Sequence, residues 1–348
     1  MRPLNCLCGL LFVCSVATGQ SNRDSLLAEE RSIDRPVNLH AGQLRFTAGY
    51  GLSSITKSFD RDGSAVKLRD EGISYVRHGF PISIQYGISE YIEIGLSTAY
   101  KRQVQREKEV LSAAGQVLTN LFQVDERNGF EDLALLLRGR LPINVRKTDI
   151  VVNVGVQLPV GSGKTEKPQN SFFQQNLNAT VLRNIVYNNK LKWGNGISVG
   201  RIGGTIKSRT PEYAFALEVD FFHAFGVGEG RLWHHQLVGT QFEYASEAYQ
   251  YLLPDRITVF FEIERQLAPW FDLSFQFLNE KSSGGWVEDK GLKVKRDAPS
   301  TFTLSPGYEL LVTPRTWLRQ RVAFVLGGKS VEAPLSFTTT LAYNIFPF

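Results

Sequence analysis

The sequence predicts an all-β protein, a transmembrane antiparallel up-and-down β-barrel, from its alternating segments, the rhythm of its connections and an export leader. Val152, Val154 and Val156 share one face of a segment, whereas Asn153 and Gln157 share the other. A period of two is typical of a strand between two different environments. A soluble sandwich or propeller gives the same alternation with the apolar face inward. The number of such segments and their connections favour the membrane barrel.

Residues 1–19 form the predicted leader, with a charged start, a short apolar run and small residues before Gln20. This is the pattern of a secretory signal peptide. The run is shorter than the roughly 20 apolar residues that span a bilayer as a helix. We therefore expect export with cleavage near Gly19-Gln20. Residues 20–41 would then form a periplasmic or lumen segment, and residues 42–348 the outer-membrane barrel.

The cysteines and the charge exclude several classes of function. Cys6, Cys8 and Cys14 are the three cysteines, and all of them precede the predicted cleavage site. An exported chain would hold no thiol for a disulfide, a zinc site or a nucleophile. Lys and Arg outnumber Asp and Glu by 39 to 34, a net charge of +5 at pH 7. This excess is too small and too scattered to indicate nucleic-acid binding.

About fourteen strands, within a range of roughly 12 to 16, follow the leader. The candidates are 42–55, 73–88, 91–104, 131–142, 148–160, 174–187, 190–202, 212–224, 231–244, 256–266, 270–280, 300–313, 316–327 and 334–346. The connections after every second strand are short, namely 89–90, 142–148, 188–189, 225–230, 267–269 and 314–315. The others are mostly longer and rich in charge, Gly, Ser and Asn. This alternation predicts long extracellular loops and short periplasmic turns, with both chain ends in the periplasm.

Aromatic residues such as Tyr86, Tyr100 and Trp270 lie near strand ends, where the interfacial girdles of a barrel are expected. The last six residues, YNIFPF, resemble the aromatic-terminated final strand of bacterial outer-membrane barrels. Pro347 must lie beyond the hydrogen-bonded part of that strand. We therefore expect the C-terminal strand to be recognised by the barrel-assembly machinery.

Several short stretches resemble a known family. They are YGISEYIEIGL at 86–96, GFEDLAL at 129–135, LPVG at 158–161, and LSPGY at 304–308 leading to TPR at 313–315. They resemble the meta-pathway phenol-degradation transporters and, more distantly, the fatty-acid transporter barrels. The resemblance implies an outer-membrane barrel that takes up small molecules passively, aromatic or other apolar compounds among them.

Three motifs that could carry chemistry have simpler interpretations. GSGKT at 161–165 lacks the glycine that a phosphate-binding loop needs at Leu158, and is interpreted as a loop. The calcium-loop-like 60–63 has no acceptor glutamate and is interpreted as a hairpin tip. His234 and His235 would point to opposite faces of a strand and could not chelate one metal. We predict no catalytic, cofactor-binding or metal-binding residue, and no enzyme.

The polar faces of the predicted strands place charges of both signs in the lumen. The basic candidates come mainly from the first, second, fourth and thirteenth strands, and the acidic ones mainly from the eighth to the twelfth. They are Arg45, Arg77, Arg138, Arg140, Arg319 and Arg321, and Glu218, Asp220, Glu262, Glu264, Asp272 and Glu309. Rows of opposite charge on facing walls would create a transverse field that selects solutes. Alternatively, the charges solvate the lumen or pair with one another and stiffen it.

The sequence therefore predicts a passive outer-membrane channel or transporter for small molecules, including aromatic or hydrophobic compounds, with membrane lipid and a small solute as its partners. Two alternatives stay open. One is a general porin that selects polar solutes by a transverse charge field. The other is a hydrolase embedded in the barrel, or a barrel with a structural role.

Overall fold

The computed structural model describes residues 37–68, 73–113, 116–143, 147–160, 186–191, 196–238, 241–289, 292–295 and 297–345. The predicted leader, the loop at 161–165 and the last three residues lie outside these ranges. Within them, no helix is long and apolar enough to cross a membrane.

Nineteen strands occur in the described residues. They are β1 (Leu44–Phe59), β2 (Ala65–Lys67), β3 (Ile73–Ser89), β4 (Ile92–Ala113), β5 (Gln116–Phe130), β6 (Leu133–Arg140), β7 (Thr148–Leu158), β8 (Val186–Leu191), β9 (Val199–Arg209), β10 (Tyr213–Ala224), β11 (Gly228–Val238), β12 (Gln241–Leu252), β13 (Arg256–Ala268), β14 (Phe271–Ser282), β15 (Trp286–Asp289), β16 (Leu292–Lys295), β17 (Ser300–Thr313), β18 (Thr316–Lys329) and β19 (Val331–Ile345).

Twelve of the described strands form a closed antiparallel ring in the order β1, β3, β4, β6, β7, β9, β10, β13, β14, β17, β18 and β19. The last strand closes the ring on the first, from Leu44 opposite Ile345 to Phe59 opposite Val331. Closure removes the unpaired edges that an open sheet would expose. The predicted fold class, an up-and-down barrel with 12 to 16 strands, is confirmed.

The two ends of the ring differ. At the turn end, short connections join neighbouring strands, as at Glu90-Tyr91 and Pro314-Arg315. At the opposite end, which we call the loop end, the chain makes further strands. There β5 continues the pairing along β4, β8 runs parallel to β5, and β11, β12, β15 and β16 form a separate four-stranded sheet. Both Leu44 and Ile345 lie at the turn end.

The apolar face of the strands is the outer face. On β7, Val152 and Val154 are 41% and 48% exposed, whereas Val151 and Asn153 are fully buried. On β14, Phe275 is 48% exposed, whereas Asp272 is 5% exposed. Exposed Leu, Ile, Val and Phe side chains surround the ring, a surface that suits lipid and not water. A soluble sandwich, with its apolar side chains between two layers, is excluded.

The strand prediction fails between residues 174 and 244. The predicted strand 174–187 lies outside the described residues apart from its last two positions, and 188–189 are inside β8 instead of a turn. The predicted strand 231–244 is part of the β11–β12 hairpin, outside the ring. The predicted strand 190–202 ends too early, because β9 runs on to Arg209. The chain turns there, at 210–212, and 225–227 consequently lie at the loop end.

Gly203 lies within β9, one residue beyond the predicted end of the strand at 202. A glycine inside a strand often marks a bulge or a bend. In the structure Gly203 sits opposite Asp220 in a regular ladder. A Cβ atom at Gly203 would lie 2.1 Å from Asp220 Oδ1 and 2.3 Å from the Val219 carbonyl oxygen. The glycine is therefore needed for a close approach of two strands and does not mark a turn.

The hairpin tip predicted at 60–63 is confirmed. Asp60 Oδ1 accepts hydrogen bonds from the backbone amides of Asp62 at 3.0 Å and Ser64 at 2.8 Å. Gly63 has a φ of +86°, which favours glycine. The turn chemistry of the Asp and Gly residues accounts for the conformation of this segment.

Candidate functional site in the barrel interior

The segment before β1 lies in the turn end of the barrel. Asn38 and Leu39 are each 2% exposed. The Leu39 amide donates to Glu93 Oε2 at 2.8 Å, and Asn38 Nδ2 donates to the Tyr91 carbonyl at 3.2 Å. Gly87 permits this arrangement, because a Cβ there would lie 2.1 Å from the His40 carbonyl oxygen. These contacts bring residues 37–43 against the inner face of β3 and β4.

A first charged cluster lies beside this segment. Arg138 Nη1 contacts Glu93 Oε1 at 3.2 Å. Arg140 Nη2 contacts Asp149 Oδ1 at 2.6 Å, and Arg209 pairs with the same carboxylate. The Asp149 side chain is 1% exposed. A buried carboxylate between two arginines is charge-compensated, as burial of an ion requires.

A second charged cluster lies on β9 and β10. Arg201 Nη2 contacts Glu218 and Asp220, each at 2.6 Å. Thr205 Oγ1 donates to Glu218 Oε2 at 3.0 Å and accepts from Asn153 Nδ2 at 3.1 Å. The predicted acidic residues Glu218 and Asp220 are therefore brought together by an arginine that sequence reasoning missed. The signal that could have found it is that Ile202 faces lipid, so Arg201 must face inward.

A third charged cluster links β18 to β13 across β17 and β14. Arg319 Nη2 lies 2.7 Å from Glu309 and 3.6 Å from Glu264, whose other partner is Lys207 at 3.5 Å. Arg321 pairs with Glu262, which also accepts from Gln276 Nε2 at 2.7 Å. Asp272 is 5% exposed and stands opposite Glu309 in the β14–β17 ladder.

The two remaining predicted residues lie apart from these clusters. Arg45 Nε donates to Asn344 Oδ1 at 3.1 Å, and its guanidinium lies 4.7 Å from the centre of the Trp317 ring. Arg77 Nε donates to Gln103 at 2.9 Å, and Arg77 Nη2 donates to Glu332 at 3.2 Å. All twelve predicted lumen residues lie on ring strands, but opposite charges are in direct contact instead of facing one another across open space. Their role in selectivity stays a prediction.

The barrel interior has open space on the side of the ring that lies away from the second and third charged clusters. A cavity of about 390 Å³ is bordered by β19, β1, β3, β4, β6 and β7. Its lining consists mostly of small side chains, among them Thr47, Pro81, Ser83, Ser97 and Thr340, and also includes the longer or charged Gln157, Glu131 and Asp132. The second and third charged clusters are on the remaining six ring strands. Small residues therefore leave space in the middle of this half of the ring, which also carries the first charged cluster at the turn end and the pair Arg77–Glu332. Long paired side chains occupy the other half.

An apolar cluster lies towards the loop end. Ile197, Val199, Phe222 and Ala224 are buried together, and Tyr251 and Leu253 pack against them. The guanidinium of Arg256 lies 4.1 Å from the centre of the Phe222 ring, a favourable cation–π contact. Burial, followed by the electrostatic influence of Tyr249 and Asp132, raises the pKa of the Tyr251 hydroxyl, so this side chain is neutral at pH 7.

No protein-family model and no curated protein matches this chain. Among solved structures, the COG4313 outer membrane channel from Pseudomonas putida F1 is similar, with 12% identity, a TM-score of 0.54, and 89% of this chain and 98% of that chain covered. The Pseudomonas putida toluene transporter TodX (8% identity, TM-score 0.43, 92% and 93% covered) and the KdgM porin (7%, 0.38, 85% and 98%) are more weakly similar. The likeness to the COG4313 channel confirms, at the level of the fold, the outer-membrane β-barrel that the sequence predicted.

Proposed function

We propose that this chain is a passive channel for small molecules in the bacterial outer membrane. The observation that carries the proposal is the cavity of about 390 Å³ inside a closed ring whose outer face is apolar. A barrel of this kind spans lipid and encloses a route for solutes. The turn end would face the periplasm, residues 1–19 would be removed on export, and residues 20–41 would form the periplasmic or lumen segment, in which Leu39 reaches Glu93.

The route for solutes would run along the half of the ring whose inward side chains are mostly small. Because the charged clusters on the other half contain direct pairs, their long-range fields largely cancel. Hydroxyl and amide groups of Ser97, Thr340 and Gln157 border the cavity, together with the carboxylates of Glu131, which pairs with Lys101, and Asp132. This mostly polar lining favours small solutes that can exchange hydrogen bonds with it, and argues less for a porin with a strong transverse field.

Conductance and liposome swelling test the proposal. Purified protein in vesicles should admit small uncharged sugars, and Ser97→Cys should lose most of its conductance when a bulky thiol reagent is attached. The matched control is Ser274→Cys, because Ser274 is also inward but is 4% exposed among the charged pairs. Absence of any conductance or swelling would overturn the channel. Equal block at both positions would overturn the route alone.

Uptake of apolar compounds is a second candidate. The apolar cluster around Phe222 at the loop end favours it, because a polar pore has no need of buried apolar side chains at its mouth. Uptake of an aromatic compound that is lost in Phe222→Ser, with sugar swelling retained, would support this candidate. Uptake unchanged in Phe222→Ser would contradict it.

The same proposal implies partners for the apolar outer face and for the C-terminal strand. The apolar belt would contact outer-membrane lipid, and the C-terminal strand would engage the barrel-assembly machinery during insertion. No catalytic step is proposed. Turnover of an ester or lipid by purified protein, lost on changing an inward Ser, His or Asp, would instead favour a barrel-embedded hydrolase. A barrel with neither transport nor turnover would have a structural role.

A further inference from the structure

Two lysines stand directly opposite each other on neighbouring strands near the loop end. Lys57 of β1 is paired with Lys67 of β2, and both side chains are exposed. We call these two residues the lysine pair. Opposite residues of an antiparallel ladder have Cβ atoms about 4.5–5.5 Å apart, and like charges at such positions repel each other. An anion between the two ammonium groups would relieve this repulsion.

Within the described part of the chain, no ion pair or side-chain hydrogen bond involves the lysine pair. Three acidic side chains of the surrounding segments have other partners. Glu332 binds Arg77 on the inner face, and Asp297 binds Arg61. Asp60 Oδ1 accepts hydrogen bonds from backbone amides of the hairpin tip. The two positive charges are therefore available to a partner from outside the chain.

The lysine pair lies on the outer face of the barrel. Lys57 is paired with Ala333 of β19, which lies two residues from Leu335, and Leu335 is 50% exposed. Cross-strand partners share a face, and a two-residue step along a strand keeps that face. The register shift between Ile55 and Lys57 turns the lysine outward, since Ile55 is 1% exposed and faces inward. A β-bulge is a usual means of re-aiming a side chain.

The depth of the lysine pair is that of the outer headgroups. From Leu44 at the turn end to Ser54, β1 has the length, roughly 9–11 residues, with which a tilted strand crosses a membrane. Leu52 and Phe337 are opposite each other near the end of this stretch, and they are 38% and 40% exposed. Lys57 follows Ser54 by about 10 Å along the strand. Its ammonium group therefore lies just beyond the apolar belt, towards the loop end.

We propose that the lysine pair binds a phosphate group of an outer-leaflet glycolipid, whose acyl chains lie against Leu52, Leu335 and Phe337. The proposal rests on the outer-membrane orientation proposed above but not on transport. A phosphate monoester carries a charge of about −1.5 to −2 at pH 7, which two ammonium groups balance. The occupant is a lipid headgroup and not free phosphate, because the exposed apolar side chains below the lysines supply a surface for acyl chains.

The test uses the full barrel in phosphatidylcholine vesicles that contain diphosphoryl lipid A, its dephosphorylated form, or neither. Native mass spectrometry after extraction should detect retained diphosphoryl lipid A on the parent protein. The Lys57→Gln/Lys67→Gln variant should bind it on the order of tenfold to a hundredfold more weakly, the effect of losing charge-assisted hydrogen bonds. The matched control is Lys293→Gln/Lys295→Gln, which removes the same charge from two exposed lysines of β16, outside the ring. This control should bind as the parent does.

Three results would overturn the proposal. One is equal retention of the phosphorylated and dephosphorylated lipids by the parent protein. Another is unchanged retention in the Lys57→Gln/Lys67→Gln variant, or an equal loss in the β16 control. The third is displacement of lipid A by inorganic phosphate alone, which would show a free-anion site. Heat-modified mobility on gels confirms that each variant is folded, and sugar swelling, measured in parallel, separates failure of this site from failure of the channel.

Discussion

Glu93→Gln is expected to loosen the segment that reaches into the turn end. The Glu93 side chain is 2% exposed and accepts from both the Leu39 amide at 2.8 Å and Arg138 at 3.2 Å. A glutamine of the same shape has one acceptor oxygen, so its amide hydrogens would face one of these two donors. A hydrogen bond to a charged group contributes about 1.5–3 kcal/mol, equal to a change of roughly 10- to 150-fold in an equilibrium.

Thiol labelling of Leu39→Cys measures this change. Because Leu39 is 2% exposed, a cysteine there should react slowly in a chain produced from Gln20 onward, which contains no other cysteine. When the segment opens and closes faster than the thiol reacts, the labelling rate follows the opening equilibrium. Adding Glu93→Gln should then raise the labelling rate of the introduced cysteine by roughly 10- to 150-fold. Glu280→Gln is the control, since Glu280 lies near the loop end and its arginine is 3.8 Å away. Fast labelling in the parent, or no acceleration in Glu93→Gln, would refute the reasoning.

Two further predictions concern stability. Asp149→Ala removes a carboxylate that is 1% exposed and leaves two arginines close together, so the free energy of unfolding should fall by about 3–5 kcal/mol; an unchanged urea midpoint in micelles would contradict this. Gly203→Ala should greatly reduce the yield of folded barrel, because its Cβ would lie 2.3 Å from a backbone oxygen, whereas in Gly204→Ala the nearest atom is 3.3 Å away. Equal heat-modified mobility of the two variants would argue against a need for close approach at Gly203.

The alternation of outward and inward side chains could be predicted from sequence, because the face on which a residue lies is set by its position in its own strand. Val154 and Phe275 face outward whatever their neighbours are, since the two sides of a membrane strand meet different environments. The turn at 314–315 was predicted for the same local reason. The fold class and the direction of the side chains could be predicted from the alternation and from such turns.

The path of the chain between 186 and 252 could not be predicted in this way. From sequence alone, Gly203 suggests a break in a strand. The structure shows why a strand contains this glycine, because it permits a close approach to Asp220. The β11–β12 hairpin has strand-forming residues, yet its partners are β15 and one another instead of the ring. Pairing between distant segments is a tertiary property, and strand count depends on it.

The contacts between the charged residues of the lumen could not be predicted either, because they too depend on tertiary structure. Arg319 and Glu309 were both predicted to face the lumen, and register alone places them opposite each other. Whether charges of opposite sign meet or stand apart depends on how the ring curves and on the side chains between them. Arg201 was missed, although it holds two of the predicted acidic residues.

The small residues of the interior account for both halves of the lumen. A Cβ at Gly307 would lie 2.5 Å from Arg321 Cγ, so this glycine lets the arginine lie against the wall and reach Glu262 across two strands. On the opposite half, Ser97 and Thr340 line the cavity. Small side chains therefore accommodate ion pairs on one half of the ring and border open space on the other. The charged residues of this barrel show how its wall is stiffened, and the small uncharged residues show where its interior is open.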